Sequence, residues 1–379
     1  MKILHTVEFY EPSKGGAQEV VKQLSERLVK HGHDVIVATT HDSNRLSRVI
    51  NGVKIEGFDI SGNNVEGIAG RPAEIRRYQD FLTGNFDIIL NYAAQSWTTD
   101  LTFEVLHRIS AKKILVPCGY SGLYNPKYAE YFRQLPSELA KYDSLIYMSL
   151  NYQDAVFGID HGLKQKAVLI PNGASAEEFD APDEYDFKKE MNVKTPYLAI
   201  TVANHYVSKG HKFVVDAFAA LKRKDLTLVI IGQSSVSHGI KSLAHFFLDF
   251  CRCRAISWFN PRIKLYTGAD RAAVVSAFKQ ADIFLFGSKL ECAPLVMYEA
   301  FASKTPMITT PVGNTTDYRD NLFLVRTTAE MTAVANGLLG NEAQRKELGE
   351  RGHALWKKQY TWDVITKQYE TLYKKLCQK

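Results

Sequence analysis

The chain has 379 residues, 45% of them hydrophobic and 23% charged, with a net charge of +6. That is too long for one ordinary core, predicts two domains of soluble globular composition, and contains no apolar run approaching the roughly 20 residues of a membrane span. No basic stripe interleaved with aromatics marks a nucleic-acid binder, and five cysteines without a C-x2-C pair (Cys118, Cys251, Cys253, Cys292, Cys377) point to a reducing compartment and to no structural zinc.

Residues 2–7 predict a first strand, too short and too strand-like for a signal peptide, and 10–16 a turn. Residues 17–30 predict a helix with Val20, Val21, Leu24 and Leu28 on one face. Gly32 closes it, and 33–40 form the next strand. His31 and His33 finish the helix and open that strand. A strand–loop–helix–strand unit predicts a parallel sheet. Gly15-Gly16 before the helix lets a ligand approach the backbone closely, with a plain turn as the alternative. Further strands are predicted at 53–60, 86–91, 112–117 and 144–149, and a mobile loop at 61–70. In open α/β sheets ligands bind beyond the carboxyl ends of the strands. That gathers 8–16, 91–96, 118–124 and 149–152 around one rim, with Asn91, Tyr92, Gln95, Trp97, Tyr120 and Tyr124 among its side chains.

Residues 166–173 end this sheet, and the acidic stretch 177–185 reads as an interdomain linker. A second sheet begins at 197–202. The loop after it carries Lys209-Gly210, a point charge beside a helix start that suits a phosphate, with a plain loop lysine as the alternative. The helix that follows presents Val214, Val215, Ala217, Phe218 and Leu221. Residues 226–232 form a buried strand. The stretch 238–261 reads as a core helix plus loop, or alternatively as a basic-aromatic surface meeting a membrane or a lipid-linked acceptor. Residues 263–268 form a strand with Gly268-Ala269-Asp270 at its tail.

A buried strand at 281–286 then leads into a loop with Glu291, Cys292 and Ala293. A helix opens near Pro294, whose first-turn N–H groups around Leu295 and Val296 favour an anion. Glu291 and Glu299, with seven residues between them, suit the hydroxyls of one polyhydroxylated ligand; plain surface charge is the alternative. Residues 321–325 form the last short strand, and helices follow at 330–339, 342–357 and 362–376.

The strand, Glu291-x7-Glu299, the helix and the run from Thr305-Pro306 to Val312-Gly313 together resemble the donor-sugar signature of retaining glycosyltransferases of the GT-B fold, family 4 type (glycosyl transferases group 1). The resemblance extends from Gly15-Gly16 to Trp362. It implies two doubly wound Rossmann-like domains facing a cleft: an acceptor-binding domain at 1–172, joined by a crossover helix at 362–379, and a donor-binding domain at 173–361. It implies that Glu291 sits by the transferred sugar, that Glu299 holds the ribose and that Lys209 neutralises the leaving diphosphate. Asn204 stands where the family has an arginine. Gly268, Ala293, Leu295 and Val296 complete the donor side. Gly15, Gly16, Cys118 and Tyr120 face the cleft, with Cys118 in place of the histidine many members carry.

The implied activity is metal-independent, cytoplasmic transfer from a UDP- or GDP-sugar, as in polysaccharide biosynthesis, with no cofactor. The acceptor is a glycan, a lipid-linked sugar or another hydroxyl, and peripheral membrane contact is left open. Two alternatives remain at this stage: a non-catalytic binding or scaffold protein on the same fold, and a nucleotide-sugar epimerase or hydrolase.

Overall fold

Short apolar runs bounded by turn residues become strands, and the amphipathic stretches between them become the covering helices. The structure is a computed structural model, and it describes residues 1–233 and 240–378. The chain divides into two units, Met1–Asn172 with Trp362–Lys379, and Gly173–Thr361.

The first unit contains β1 (Lys2–Thr6), β2 (Asp34–Thr40), β3 (Val49–Ile50), β4 (Val53–Phe58), β5 (Ile60–Asn63), β6 (Gly67–Gly70), β7 (Ile88–Tyr92), β8 (Lys112–Val116), β9 (Ser144–Tyr147) and β10 (Ala167–Leu169). Its large sheet runs β10-β9-β8-β7-β1-β2-β4-β3, parallel except at the β3–β4 edge. Strand order therefore reverses between β1 and β7. Helix Gly16–Lys30 buries Val20, Val21, Leu24 and Leu28. It stops because Gly32 takes φ +84°, so that the N–H of His33 reaches back to the carbonyl of Leu28.

The helix Trp362–Cys377 belongs to this unit: Nε2 of buried His5 lies 3.2 Å from the hydroxyl of Tyr373, and Arg27 pairs with Asp363 at 2.9 Å. The stretch 61–70, expected to be a mobile loop, is instead the antiparallel hairpin β5–β6. Its glycines fit a hairpin as well as a loop, since Gly62 and Gly67 both take positive φ.

The second unit contains β11 (Tyr197–Val202), β12 (Leu226–Gly232), β13 (Ile263–Thr267), β14 (Ile283–Phe286), β15 (Met307–Thr309) and β16 (Phe323–Leu324). They form an all-parallel sheet in the order β13-β12-β11-β14-β15-β16. Alternate side chains of one strand feed two cores. Leu226, Leu228 and Ile230 join one cluster, and Val229 and Ile231 the other. Burial on both faces is why these strands read as continuous apolar runs.

The acidic stretch read as a linker is packed into this unit. Phe179 is buried, and the Lys279 ammonium donates to the carbonyls of Glu178 and Ala181. From the stretch 238–261 the helix Ile240–Phe259 forms, while His238 lies outside the described residues.

Candidate functional site

β11 and β14 are neighbours, and between them the order of the second sheet reverses. The loops leaving their carboxyl ends lie side by side, as the topology rule for ligand crevices requires. They are stitched together at backbone level: the Lys289 N–H donates to the Ser208 carbonyl at 2.8 Å. Gly210 is left-handed at φ +68°, and a Cβ there would stand 1.8 Å from the carbonyl oxygen of Gly287. Only glycine allows both the conformation and the approach.

The consequence is a contact across 82 positions of sequence. Nζ of Lys209 donates to Oε1 of Glu291 at 2.7 Å, and the Ser288 hydroxyl donates to the same oxygen at 2.8 Å. The helix Leu295–Ala302 opens just beyond, with no side-chain cap, and its first residues Leu295 and Val296 are half-buried. Pro294 is the flanking extended residue and not the first helical one. Ala293 and Asn204 are half-buried in the same two loops. Gly313 supports the arrangement from a third loop. At φ +51° its Cβ would meet the Cys292 carbonyl at 2.2 Å, and Asn314 donates to that carbonyl.

Glu299 is buried inside the helix and is ion-paired to Arg271. Arg271 also donates to both oxygens of Glu178, at 3.0 and 2.6 Å. Burial works against its charge, and Glu299 and Glu178 more than offset this, so its pKa is raised. Sequence reasoning singled out Glu299 and missed both partners. The available signal was position: Arg271 follows Gly268-Ala269-Asp270 directly. Gly268 itself is exposed at φ +73°, and Asp270 caps the helix Arg271–Gln280.

In the first unit Gly15 and Gly16 begin the long helix after β1. A Cβ at Gly16 would meet nothing within 4 Å, so open space lies over that helix start. Cys118, Gly119 and Tyr120 all take positive φ, as do Ala93 and Gln95 in the neighbouring loop. Held strain of this kind gathers at functional loops. The Gly119 N–H donates to Asp154, and Gln153 donates to the carbonyls of Gly119 and Tyr120.

The side chains only partly follow the expected rim. Tyr120 is 1% exposed, its ring edge-on to Phe132 and Phe157, and its hydroxyl has no partner among the described residues. Asn91, Tyr92 and Trp97 are core residues as well, because the strand and helix that carry them are covered on both faces; Tyr124 is exposed.

The polar feature of this end is one the sequence did not single out. The Glu8 carboxyl is pushed up to about 7 by burial, against a hydrogen bond from the Gly62 backbone. Asp100, which accepts from Asn64 and Tyr131, is pushed up to about 6 by burial. Two raised carboxyls at the carboxyl end of a sheet are the pattern expected of a site.

A third grouping lies behind the Lys209 loop. His205, His211, Asp249 and Cys253 are buried, with one donor atom from each within 4.8 Å of every other. Nδ1 of His205 lies 3.0 Å, and Nδ1 of His211 2.6 Å, from Oδ2 of Asp249. No compact cysteine spacing announces it. The legible traces are His-x5-His around the loop and Asp-x3-Cys on a helix, where residues four apart share a face.

Comparison with known proteins gives the family and the fold. A family model described as "Glycosyl transferases group 1" matches residues 183–354, and one described as "Glycosyltransferase Family 4" matches residues 14–178. N-acetyl-alpha-D-glucosaminyl L-malate synthase of Bacillus anthracis is 24% identical over 395 aligned residues, covering 96% of this chain and 94% of that protein. Among solved structures, sucrose-phosphate synthase from Thermosynechococcus elongatus superposes with a TM-score of 0.79 at 16% identity, covering 99% of both chains. Anabaena HepE in complex with UDP and glucose superposes at 0.77 and 15%, covering 98% of this chain and 99% of that one. The fold is thus the two-sheet GT-B arrangement.

Proposed function

This chain belongs to the group 1 glycosyltransferases and transfers sugar from a nucleotide sugar, and from that premise we propose how its own residues do so. The second unit holds the donor. Lys209 and the uncapped N-terminus at Leu295 and Val296 carry the diphosphate, Asn204 adds a neutral donor to it, Glu291 holds the sugar hydroxyls, and Glu299 holds the ribose. The observation that carries this reading is the 2.7 Å contact between Lys209 and Glu291. It sets a phosphate-binding cation and a sugar-binding carboxylate side by side at the point where strand order reverses.

Transfer proceeds with retention. The bond from the anomeric carbon to the phosphate oxygen breaks, and the bond to the acceptor oxygen forms on the same face. The leaving phosphate takes the acceptor proton. Lys209 and the helix N–H groups stabilise the charge that develops on the diphosphate, the kind of preorganised electrostatics that dominates many enzymes. No protein carboxylate pair is assigned a double displacement, and no metal takes part.

The first unit receives a hydroxyl acceptor, a glycan or lipid-linked sugar, through the loop at Gly15 and Gly16 and the strained turn at Cys118–Tyr120. Cys118 contributes there through its backbone conformation. Peripheral contact with an anionic membrane belongs to the same reading. Trp258 and Phe259 are exposed at the end of the helix Ile240–Phe259, and the Arg254 guanidinium lies 5.7 Å from the Trp258 ring centre. Flotation with anionic vesicles, lost in Trp258→Ser, tests that part.

The main test is a thermal-shift series with UDP, GDP, ADP, dTDP and CMP, beginning with UDP, on the wild type and Lys209→Ala. A bound nucleotide raises the midpoint by linkage. One diphosphate is expected to shift the wild type and not the variant. No shift with any nucleotide sinks the reading. Proton NMR of the first product then reads the anomeric configuration, and inversion would exclude retention.

A further inference from the structure

We propose that His205, His211, Asp249 and Cys253 form a structural zinc site that ties the Lys209 loop to the helix Ile240–Phe259. The four side chains come from three places. His205 lies in the loop after β11, His211 opens the helix His211–Ala220, and Asp249 and Cys253 sit one turn apart on the long helix. None is more than 1% exposed. One donor atom from each lies within 4.8 Å of all the others.

Donor chemistry selects the metal. Two imidazoles, a carboxylate and a thiol are a zinc set; calcium or magnesium would ask for oxygen ligands throughout. Zinc bond lengths of about 2.0–2.3 Å imply donor-to-donor edges of about 3.3–3.8 Å in a tetrahedron. The present contacts of 3.0 and 2.6 Å from the two imidazoles to Asp249 need to open by less than about 1 Å to reach that shell.

Charge favours the same ion. A dication with one carboxylate, one thiolate and two neutral imidazoles sums to zero, the least costly state to bury. The competing arrangement is a purely hydrogen-bonded His–Asp–His triad. It gives Cys253 no part, although its donor atom lies within 4.8 Å of the other three.

The site would do mechanical work. His205 and His211 bracket the loop that carries Lys209, and Asn204 immediately precedes His205. A metal bound to both ends of the loop and to the helix behind it fixes the loop before any ligand arrives. This consequence rests on the donor reading of Lys209; the metal site itself does not.

The full-length chain is purified, stripped with chelator and titrated with Zn²⁺ alone and with Co²⁺ alone. About one Zn²⁺ per chain is expected to be retained through dialysis, with a rise in the unfolding midpoint. The Co²⁺ form should show the visible bands of a tetrahedral site and a thiolate-to-cobalt band in the near ultraviolet. Cys253→Ser should lose the thiolate band, and Asp249→Asn should weaken binding at least 10-fold. Failure of the stripped wild type to take up stoichiometric Zn²⁺ overturns the proposal in favour of the hydrogen-bonded triad. So does a wild-type Co²⁺ spectrum without a thiolate band, which requires no variant to fold. Neither readout involves nucleotide, so failure here and failure of the donor-site reading are separable.

Discussion

Lys209 and Glu291 form an ion pair of 2.7 Å. The lysine side chain is 27% exposed and the glutamate 15%. Each holds the other in position, and the Ser288 hydroxyl fixes the carboxylate oxygen they share. On the proposed donor role, a diphosphate would meet a cation already placed, so less side-chain entropy is lost on binding.

Replacing Lys209 by alanine removes the charge proposed to meet the diphosphate. The expected loss is about 10²–10³ in kcat, the usual cost of one transition-state donor. Partial exposure of the pair keeps the effect on folding within about 1 kcal/mol. Initial rates and urea unfolding of the same preparation check both halves. A variant that unfolds early, or one that keeps full turnover, contradicts the assignment.

Arg271 bridges Glu178 and buried Glu299. Arg271→Ala strands Glu299 without its counter-charge, and a loss of about 2 kcal/mol in unfolding free energy is expected, below the full buried-pair figure because the arginine is partly exposed. If Glu299 holds the ribose, the variant also weakens nucleotide binding, and 2′-deoxynucleotides should be less affected than ribonucleotides. Calorimetric titration with both decides it.

Glu8 gives a pH signature. Its carboxyl stands at about 7 in the folded chain because of burial, against about 4.3 in an unfolded chain. The folded state binds more protons between those values, so stability falls as pH rises through that window. Glu8→Gln should exceed the wild type by about 1–3 kcal/mol near pH 8 and match it below about pH 4. Asp100 and Asp154, also raised by burial, slope the same way. Chemical denaturation at several pH values reads the difference; a gap independent of pH would count against a titrating Glu8.

The buried Tyr120 hydroxyl lacks a partner among the described residues. Tyr120→Phe removes a desolvated polar atom and keeps the ring contacts with Phe132 and Phe157. The expected change is neutral to about 1 kcal/mol stabilising. A loss of stability would mean that the hydroxyl is satisfied, and unchanged acceptor KM would agree with a side chain that faces the core.

Gly210 is predicted to tolerate no side chain. Gly210→Ala requires positive φ and drives its Cβ into the Gly287 carbonyl. A destabilisation above about 2 kcal/mol is expected, with transfer falling further than stability because the two loops separate. Midpoint and rate, measured together, test it.

The sequence by itself determined what depends on local pattern. Alternating and continuous apolar runs placed most of the strands, because side-chain burial on a sheet repeats every two residues; the short β3 and β15 and the hairpin β5–β6 were not among them. Gly32 stopped the first helix where only a positive φ would serve. The strand, Glu-x7-Glu, helix motif pointed to the donor side because its parts are close in the chain. Residues 61–70 and 177–185 were misread for the same reason: glycine serves hairpin and loop alike, and an acidic stretch becomes packed structure only once Arg271 and Lys279 are beside it.

Tertiary structure decided what depends on distance. It brought Lys209 to Glu291, gave Glu299 its arginine, turned Tyr120 into the core, raised Glu8, and gathered His205, His211, Asp249 and Cys253 into one buried cluster. Partners far apart in the chain leave no periodic trace. Burial, which sets both the pKa of a carboxyl and the convergence of ligand atoms, is a property of the packed units and not of any window of sequence.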